Sequence, residues 1–251
     1  GVGSDLQSVT TTALKDGNGY RINGAKTYIS NGQTADFIIV VAKTDPNERA
    51  KGISLMLLET EGAEGFQRGK KLDKIGLDAS DTSELFFDDV FVPAENVLGG
   101  EEGKGFYQLM GELPQERLII AMGAMTGIEK ALETTLDFVK NRKAFGQTIW
   151  DFQNTQFVMA DLKARATAAK IFVNDCIAKH LKRELDVPTA CMAKYWVTEL
   201  QGEVVDKCLQ FHGGAGFIND YPIARMYRDS RITRIFGGSN EVMKMVIARS
   251  M

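Results

Sequence analysis

Between residues 20 and 92 the apolar positions come in short runs of strand length, separated by pairs of turn-forming residues. Residues 20–22 and 26–30 flank Asn23-Gly24, a pair that accepts positive φ and so predicts a tight hairpin turn. Asn31-Gly32 predicts a second turn. Residues 37–42 (FIIVVA), 53–58 (ISLMLL) and 85–92 (LFFDDVFV) are apolar or β-branched runs that read as further strands. Strands that follow one another without intervening helices point to an antiparallel barrel or sandwich. From Gly105 the period changes. Phe106, Leu109, Met110 and Leu113, then Leu118, Met122, Met125, Ile128, Leu132, Leu136 and Val139, recur every three or four residues and predict one long helix that Pro114 interrupts only in part. Further helices are predicted over 152–181, 188–211, 223–232 and 241–249, with Pro188 in a first turn and Gly213-Gly214 as a stop. The expected architecture is α+β and multidomain: an antiparallel β-barrel or sandwich domain over residues 1–100, then an up-and-down α-helical bundle of the four-helix type over 101–251.

Composition narrows the classes of function. The 251 residues carry 30 Lys plus Arg against 33 Asp plus Glu, with no basic block, so neither nucleic acid nor an anionic membrane is an expected partner. At 44% hydrophobic residues the chain has ample material for a packed core. Cys176, Cys191 and Cys208 form no even framework and no C-x-x-C pair, which argues against disulfide stapling and a structural zinc, and no metal site is expected. No apolar run has the length of a membrane span, and the opening residues lack the pattern of a secretory leader. The chain starts at Gly1 rather than Met, so a preceding portion of the protein is expected.

Individual residues carry the chemistry. Neither a P-loop nor a G-x-G-x-x-G between strand and helix is present, so a P-loop or Rossmann enzyme is not expected. Gly213-Gly214-Ala215-Gly216 reads as a helix stop or connector. His180 and His212 stand too far apart to form a local metal motif. Glu116, in Pro114-Gln-Glu-Arg117 directly before Leu118-Ile-Ile-Ala121, places a carboxylate beside an apolar helical stretch. Desolvation there would raise its pKa toward that of a useful base, while the same residue also reads as an ordinary helix-start acid held by the dipole.

Six segments together resemble one family, the acyl-CoA dehydrogenases. They are Gly1-Val-Gly-Ser-Asp5, Tyr28-Ile-Ser-Asn-Gly32, Pro114-Gln-Glu-Arg117, Arg142-Lys-Ala-Phe-Gly146, Gln210-Phe-His-Gly-Gly-Ala-Gly216 and Gly237-Gly-Ser-Asn-Glu241, in the family's order and spacing along the whole chain. With Ala190-Cys-Met-Ala-Lys-Tyr-Trp196 they are most similar to its long-chain branch. The resemblance implies a flavoprotein built from an N-terminal helical domain, a middle β-barrel and a C-terminal four-helix bundle, assembled as a homotetramer or homodimer. This chain would hold only the last two parts. The implied reaction is FAD-dependent removal of the α proton and β hydride of an acyl-CoA in fatty acid β-oxidation, giving a trans-2-enoyl-CoA. An electron-transferring flavoprotein is the implied acceptor, and a bacterial cytoplasm or mitochondrial matrix the implied location.

The resemblance also assigns roles. In many members the base directly precedes the Gly-[ST] of the last motif, where this chain has Gly237; in the long-chain and isovaleryl branches it comes from the first bundle helix, at the position of Glu116. Glu116 is therefore the implied catalytic base. Tyr28, Ile29 and Ser30 match a strand lying on the flavin ring, although Ser30 also reads as the end of a hairpin strand. Arg142 and Gln153 match contacts to FAD across a subunit interface, and Gln210, Phe211, His212, Gly213 and Gly214 match a segment approaching the neighbouring subunit's FAD. Ser239, Asn240 and Glu241 match a further FAD contact at a helix start, where Glu241 reads equally as a terminal helix charge. Ser4, Tyr107, Gln115, Arg117, Gly237 and Gly238 match acyl-CoA contacts, with helix packing the alternative for Tyr107. Gly123 and Gly127, four apart on one helix face, are expected to open space for an acyl tail. Two other classes stay open: a flavin-dependent monooxygenase of the same fold, and an inactive truncated module.

Overall fold

The structure, a computed structural model, describes residue 3 and residues 5–251. The chain forms two compact units that meet in sequence between Glu112 and Leu113.

The first unit is a sheet. Strands β1 (Thr12–Asp16), β2 (Gly19–Ser30), β3 (Phe37–Lys43), β4 (Ile53–Glu59), β5 (Phe66–Lys71) and β6 (Thr82–Pro93) lie in the order β4-β3-β1-β2-β6-β5. Neighbours run antiparallel except at one parallel bridge, Thr12 to Lys43, between β1 and β3. Of the two expected forms, barrel or sandwich, no closed barrel is found among the described residues; the open six-stranded sheet fits the sandwich type. Ala13, Ile22, Val40, Met56, Leu85 and Val90 form its buried side. Asn23-Gly24 does not make the expected hairpin. The turn falls at Gly17-Asn18, where Gly17 takes φ +57°, and β2 runs on through residues 23 and 24 with a bulge in its pairing to β6. Two contacts use the bulge: Asn23 Oδ1 accepts from the Asp89 amide at 2.9 Å, and Gly24 packs so closely on Thr11 that a Cβ would lie 2.8 Å from Oγ1. Asn31 does open a turn, with the Ala35 amide donating to its carbonyl at 2.8 Å. Lys26 of β2 donates from Nζ to the Val41 carbonyl of β3 at 2.6 Å, and burial pulls its pKa down to about 8.

The second unit is helical. Helix α1 (Gly105–Asn141) begins in the first unit and continues through Pro114 as one helix. A small hairpin, β7 (Lys143–Ala144) and β8 (Gln147–Thr148), leads to α2 (Gln153–Leu181), α3 (Val187–His212), α4 (Pro222–Ser230) and α5 (Asn240–Ala248). The bundle thus has three long helices and two short ones. α3 starts where predicted: Asp186 caps it by accepting from the Thr189 amide at 2.7 Å, and Pro188 sits in the first turn. Ala121, Ala124 and Ile128 of α1, Leu162, Ala166 and Ala169 of α2, and Ala193, Val197 and Leu200 of α3 share one core, and the alanines let helix backbones approach closely. Cys176, Cys191 and Cys208 lie buried as free thiols in this unit. Among the described residues no helix is long and apolar enough to cross a membrane.

Ile128 is fully buried at the centre of this core. Ile128→Ala is expected to lower the unfolding free energy by about 2–5 kcal/mol, read from urea titrations of the fluorescence of Trp150 and Trp196, which both lie in this unit. A loss below about 1 kcal/mol would contradict the packing described.

Candidate functional site

In the sheet unit the end of β2 is thrown outward. Pairing of β2 with β6 skips between Lys26 and Ile29, and at this irregularity Tyr28 takes φ +63° and stands 79% exposed. Ile29 turns inward onto the sheet core, and Ser30 is exposed on the other side. The turn beyond Ser30 is fixed by Asp81, whose carboxylate accepts from the Gln33 amide at 2.8 Å. That bond holds the Asp81 pKa below the usual carboxylate range. Tyr28 and Ser30 therefore form an exposed aromatic and a hydroxyl on a rigid strand end. Tyr107, on the first turns of α1, is also exposed. Ser4 lies outside the described residues.

In the helical unit the predicted residues fall into two groups on α1. The first group surrounds Glu116. Gln115 and Glu116 are exposed while Arg117 and Leu118 turn inward, so the expected desolvation of Glu116 is not supplied by this chain. The helix phase explains this: residues 115, 116, 119, 122 and 123 share an outward face. Gly123 opens onto that face with no atom near the place of a Cβ, whereas Gly127 is covered by Gln201, so the two glycines do not open one slot.

One turn beyond Glu116, Ile120 meets the last motif. Gly237 and Gly238 have φ +64° and +89°, and a Cβ on Gly237 would lie 2.3 Å from Ile120 Cδ1. The backbone at 237 is therefore held against the same stretch of α1 that carries Glu116. Ser239 caps α5 by accepting from the Val242 amide at 3.4 Å, and Glu241, exposed in the first turn, has its pKa lowered by a hydrogen bond to its own amide and by Ser239. Asn240 turns inward. It is 1% exposed, and its amide nitrogen donates to Glu199 Oε1 at 2.8 Å and to Thr198 Oγ1 at 3.1 Å. Lys194, a residue without a predicted role, is fully buried beside it, with Nζ donating to the Gly238 carbonyl at 2.8 Å and to Asn240 Oδ1 at 2.9 Å. Burial and the nearby Arg117 guanidinium bring the Lys194 pKa down to about 8. Arg117 is itself 7% exposed; Nη1 donates to Cys191 Sγ at 3.4 Å, and Nε has no hydrogen-bond partner among the described residues.

The second group lies at the far end of α1. Arg142 is exposed and accepts the Ile149 amide on its carbonyl at 2.9 Å, which closes the β7–β8 hairpin, and Gln153, also exposed, opens α2 four residues beyond Ile149. At the tip, Phe145 has φ +53° and is 94% exposed, a strained aromatic in open solvent. His212 links this end to α3. Its ring stacks on Phe138 at 4.2 Å, and its Nδ1 lies 2.8 Å from the Cys208 carbonyl. The ring is thus committed to the interior, while Gln210, Gly213 and Gly214 are exposed and Phe211 is half-buried. Eighteen residues of α1 separate Ile120 from Phe138, about 27 Å at about 1.5 Å per residue, so the two groups do not converge on one point.

Two residues escaped the sequence-based assignment. Phe145 lies inside the Arg142–Gly146 motif and Lys194 inside the 190–196 segment, but neither residue type signals the positive φ of the one or the complete burial of the other.

Comparison with known proteins identifies the family. The family profile described as acyl-CoA dehydrogenase, middle domain, matches residues 1–90, and that described as acyl-CoA dehydrogenase, C-terminal domain, matches residues 103–251. The chain belongs to the acyl-CoA dehydrogenase family. Among its relatives is the mitochondrial long-chain specific acyl-CoA dehydrogenase of Sus scrofa, 51% identical over 253 aligned positions, covering 100% of this chain and 58% of that protein. The crystal structure of an acyl-CoA dehydrogenase from Geobacillus kaustophilus superposes with a TM-score of 0.96 at 47% identity, over 99% of this chain and 66% of that one. The CarC subunit of the caffeyl-CoA reductase-Etf complex of Acetobacterium woodii is 37% identical over 99% of this chain and 65% of its own length. The chain thus spans little more than half of its long-chain relative.

Burial lowers the pKa of His212. The folded protein then holds a proton there less tightly than the unfolded chain, so stability is lost as pH falls through about 6.5 and below, where the unfolded imidazole protonates first. His212→Gln should remove this dependence: the gap between wild-type and variant urea midpoints is expected to narrow from pH 7.5 to pH 5. A gap that stays constant would contradict the neutral, buried imidazole.

Proposed function

We propose that the protein of which this chain is part catalyses FAD-dependent α,β-dehydrogenation of acyl-CoA thioesters, with Glu116 as the base that removes the α proton. The observation that carries this is the contact of Gly237 with Ile120, one helical turn from Glu116. It brings the family's alternative base position, here a glycine, and a glutamate to the same stretch of α1. A carboxylate on this face meets the α carbon of a thioester bound along the outward side of the helix, and the exposure of Glu116 leaves room for that substrate. The substrate itself then supplies the desolvation that makes the carboxylate a stronger base.

The exposed Tyr28 and Ser30 suit the ring end of a flavin, and the exposed Arg142 suits its pyrophosphate, because a guanidinium pairs bidentately with phosphate oxygens. FAD, when bound, supplies the acceptor for the β hydride. The separation of the Glu116 and Arg142 groups along α1 supports two copies of the chain sharing each flavin, one giving the Glu116 side and the other Arg142, Gln153 and the 210–214 segment; the assembly is a homodimer or homotetramer. Long-chain or branched acyl-CoA is the substrate class, supported by the identity to the long-chain relative. An electron-transferring flavoprotein is the acceptor, supported by the relative that is a subunit of an Etf complex. The site of action is a mitochondrial matrix or a bacterial cytoplasm, the former supported by the mitochondrial Sus scrofa relative.

Anaerobic titration of the flavin-loaded full-length protein with acyl-CoAs of graded length tests the reading. Long-chain substrates should bleach the flavin absorbance, and Glu116→Gln should slow bleaching by about 10²–10⁴-fold. Equal bleaching by the variant would remove Glu116 as base. Failure of every acyl-CoA to bleach bound flavin would overturn the dehydrogenase reading and turn attention to oxygen chemistry.

A further inference from the structure

We infer that Lys194 is a positioning residue for this reaction: from the interior of α3 it fixes the Gly237–Gly238 turn against α1, so that the turn and Glu116 present one preformed edge to the thioester. The inference rests on the function proposed above. A lysine with no exposed surface is costly, since an apolar side chain of like volume would pack there without desolvating a charge. Its contacts are not those of an ion pair. Among the described residues Nζ reaches no carboxylate directly; it bridges the Gly238 carbonyl and Asn240 Oδ1, closing a ring around Ser239. Asn240 passes the hold to Glu199, whose other oxygen pairs with Arg234 at 3.3 Å. The segment from 234 to 240 is therefore gripped by α3 on both sides of the two glycines, which alone would leave the turn with many conformations. Ile120 walls the remaining side. A cation is suited to this hold because a charge-assisted bond to a carbonyl is stronger than a neutral one.

Hydrogen exchange in the cofactor-free full-length protein and flavin reduction in the loaded protein test it together. In Lys194→Met, amides in 234–241 are expected to exchange about 10- to 100-fold faster, the loss of one charge-assisted bond, while α3 keeps its protection. In the loaded variant the limiting rate of reduction by acyl-CoA should fall by about tenfold or more with its half-saturating concentration little changed. Lys194→Gln, which keeps a donor, should lie between wild type and Lys194→Met on both readouts. Unchanged exchange at 234–241, or an unchanged limiting rate, would overturn the inference. So would loss of the helical fold in both variants, because Lys194 would then support the whole unit rather than the turn. If wild-type flavin is reduced by no acyl-CoA, the proposed function fails; faster exchange at 234–241 would still establish the hold of Lys194 on the turn.

Discussion

The backbone at Gly237 lies against Ile120, so closely that a Cβ there would fall 2.3 Å from Cδ1. A side chain at 237 would have to displace the terminal methyl of Ile120 and would also have to take a left-handed conformation, and the second of these is the larger reason that glycine suits the position. Much of the helical unit can be read as the means of enforcing that contact. α1 supplies the wall, α3 supplies the buried donors that draw the turn inward, and α5, capped by Ser239, starts immediately after it at Asn240.

The enforcing groups are polar in a unit whose core is otherwise built of alanine, leucine, isoleucine, valine, methionine and cysteine. Burying Lys194, Asn240 and Thr198 gains little stability over an apolar cluster of equal volume. Such a cluster, however, would tolerate several placements of the turn, because dispersion contacts are not directional. Hydrogen bonds of 2.8 to 3.1 Å among these groups select one placement. The unpartnered Nε of Arg117 lies close to this network and adds to a positive interior next to Glu116, so the carboxylate faces solvent while its neighbours carry buried charge.

Periodicity made the helices legible. Residues 118, 125, 128 and 132 bury as the three-and-four spacing requires, and Pro188 and Asp186 mark the start of α3 as chemistry predicts. The β half was harder to read. Asn23-Gly24 has the composition of a hairpin turn, yet long-range pairing with β6 and the packing of Thr11 convert it into a bulge, a tertiary effect that no local pattern contains. Strand β5 (FQRGKK) has too few apolar residues to stand out; it pairs along the edge of the sheet beside β6. At the site, adjacency in sequence concealed opposite orientation: Glu116 and Arg117 differ by one helical step, which leaves one exposed and the other buried. Asn240 shows the same limit, since the motif marks a conspicuous residue but not the side on which its amide is used.

The account depends most directly on the contact between Ile120 and Gly237, and a double-mutant cycle measures it. Gly237→Ala, Ile120→Ala and the pair are compared by urea unfolding of the helical unit. The account predicts that trimming Ile120 relieves part of the cost of Gly237→Ala, giving a favourable coupling of about 1 kcal/mol or more. Additivity within about 0.3–0.5 kcal/mol would show that the two positions do not share this space, and the placement of the turn beside Glu116 would fall with it.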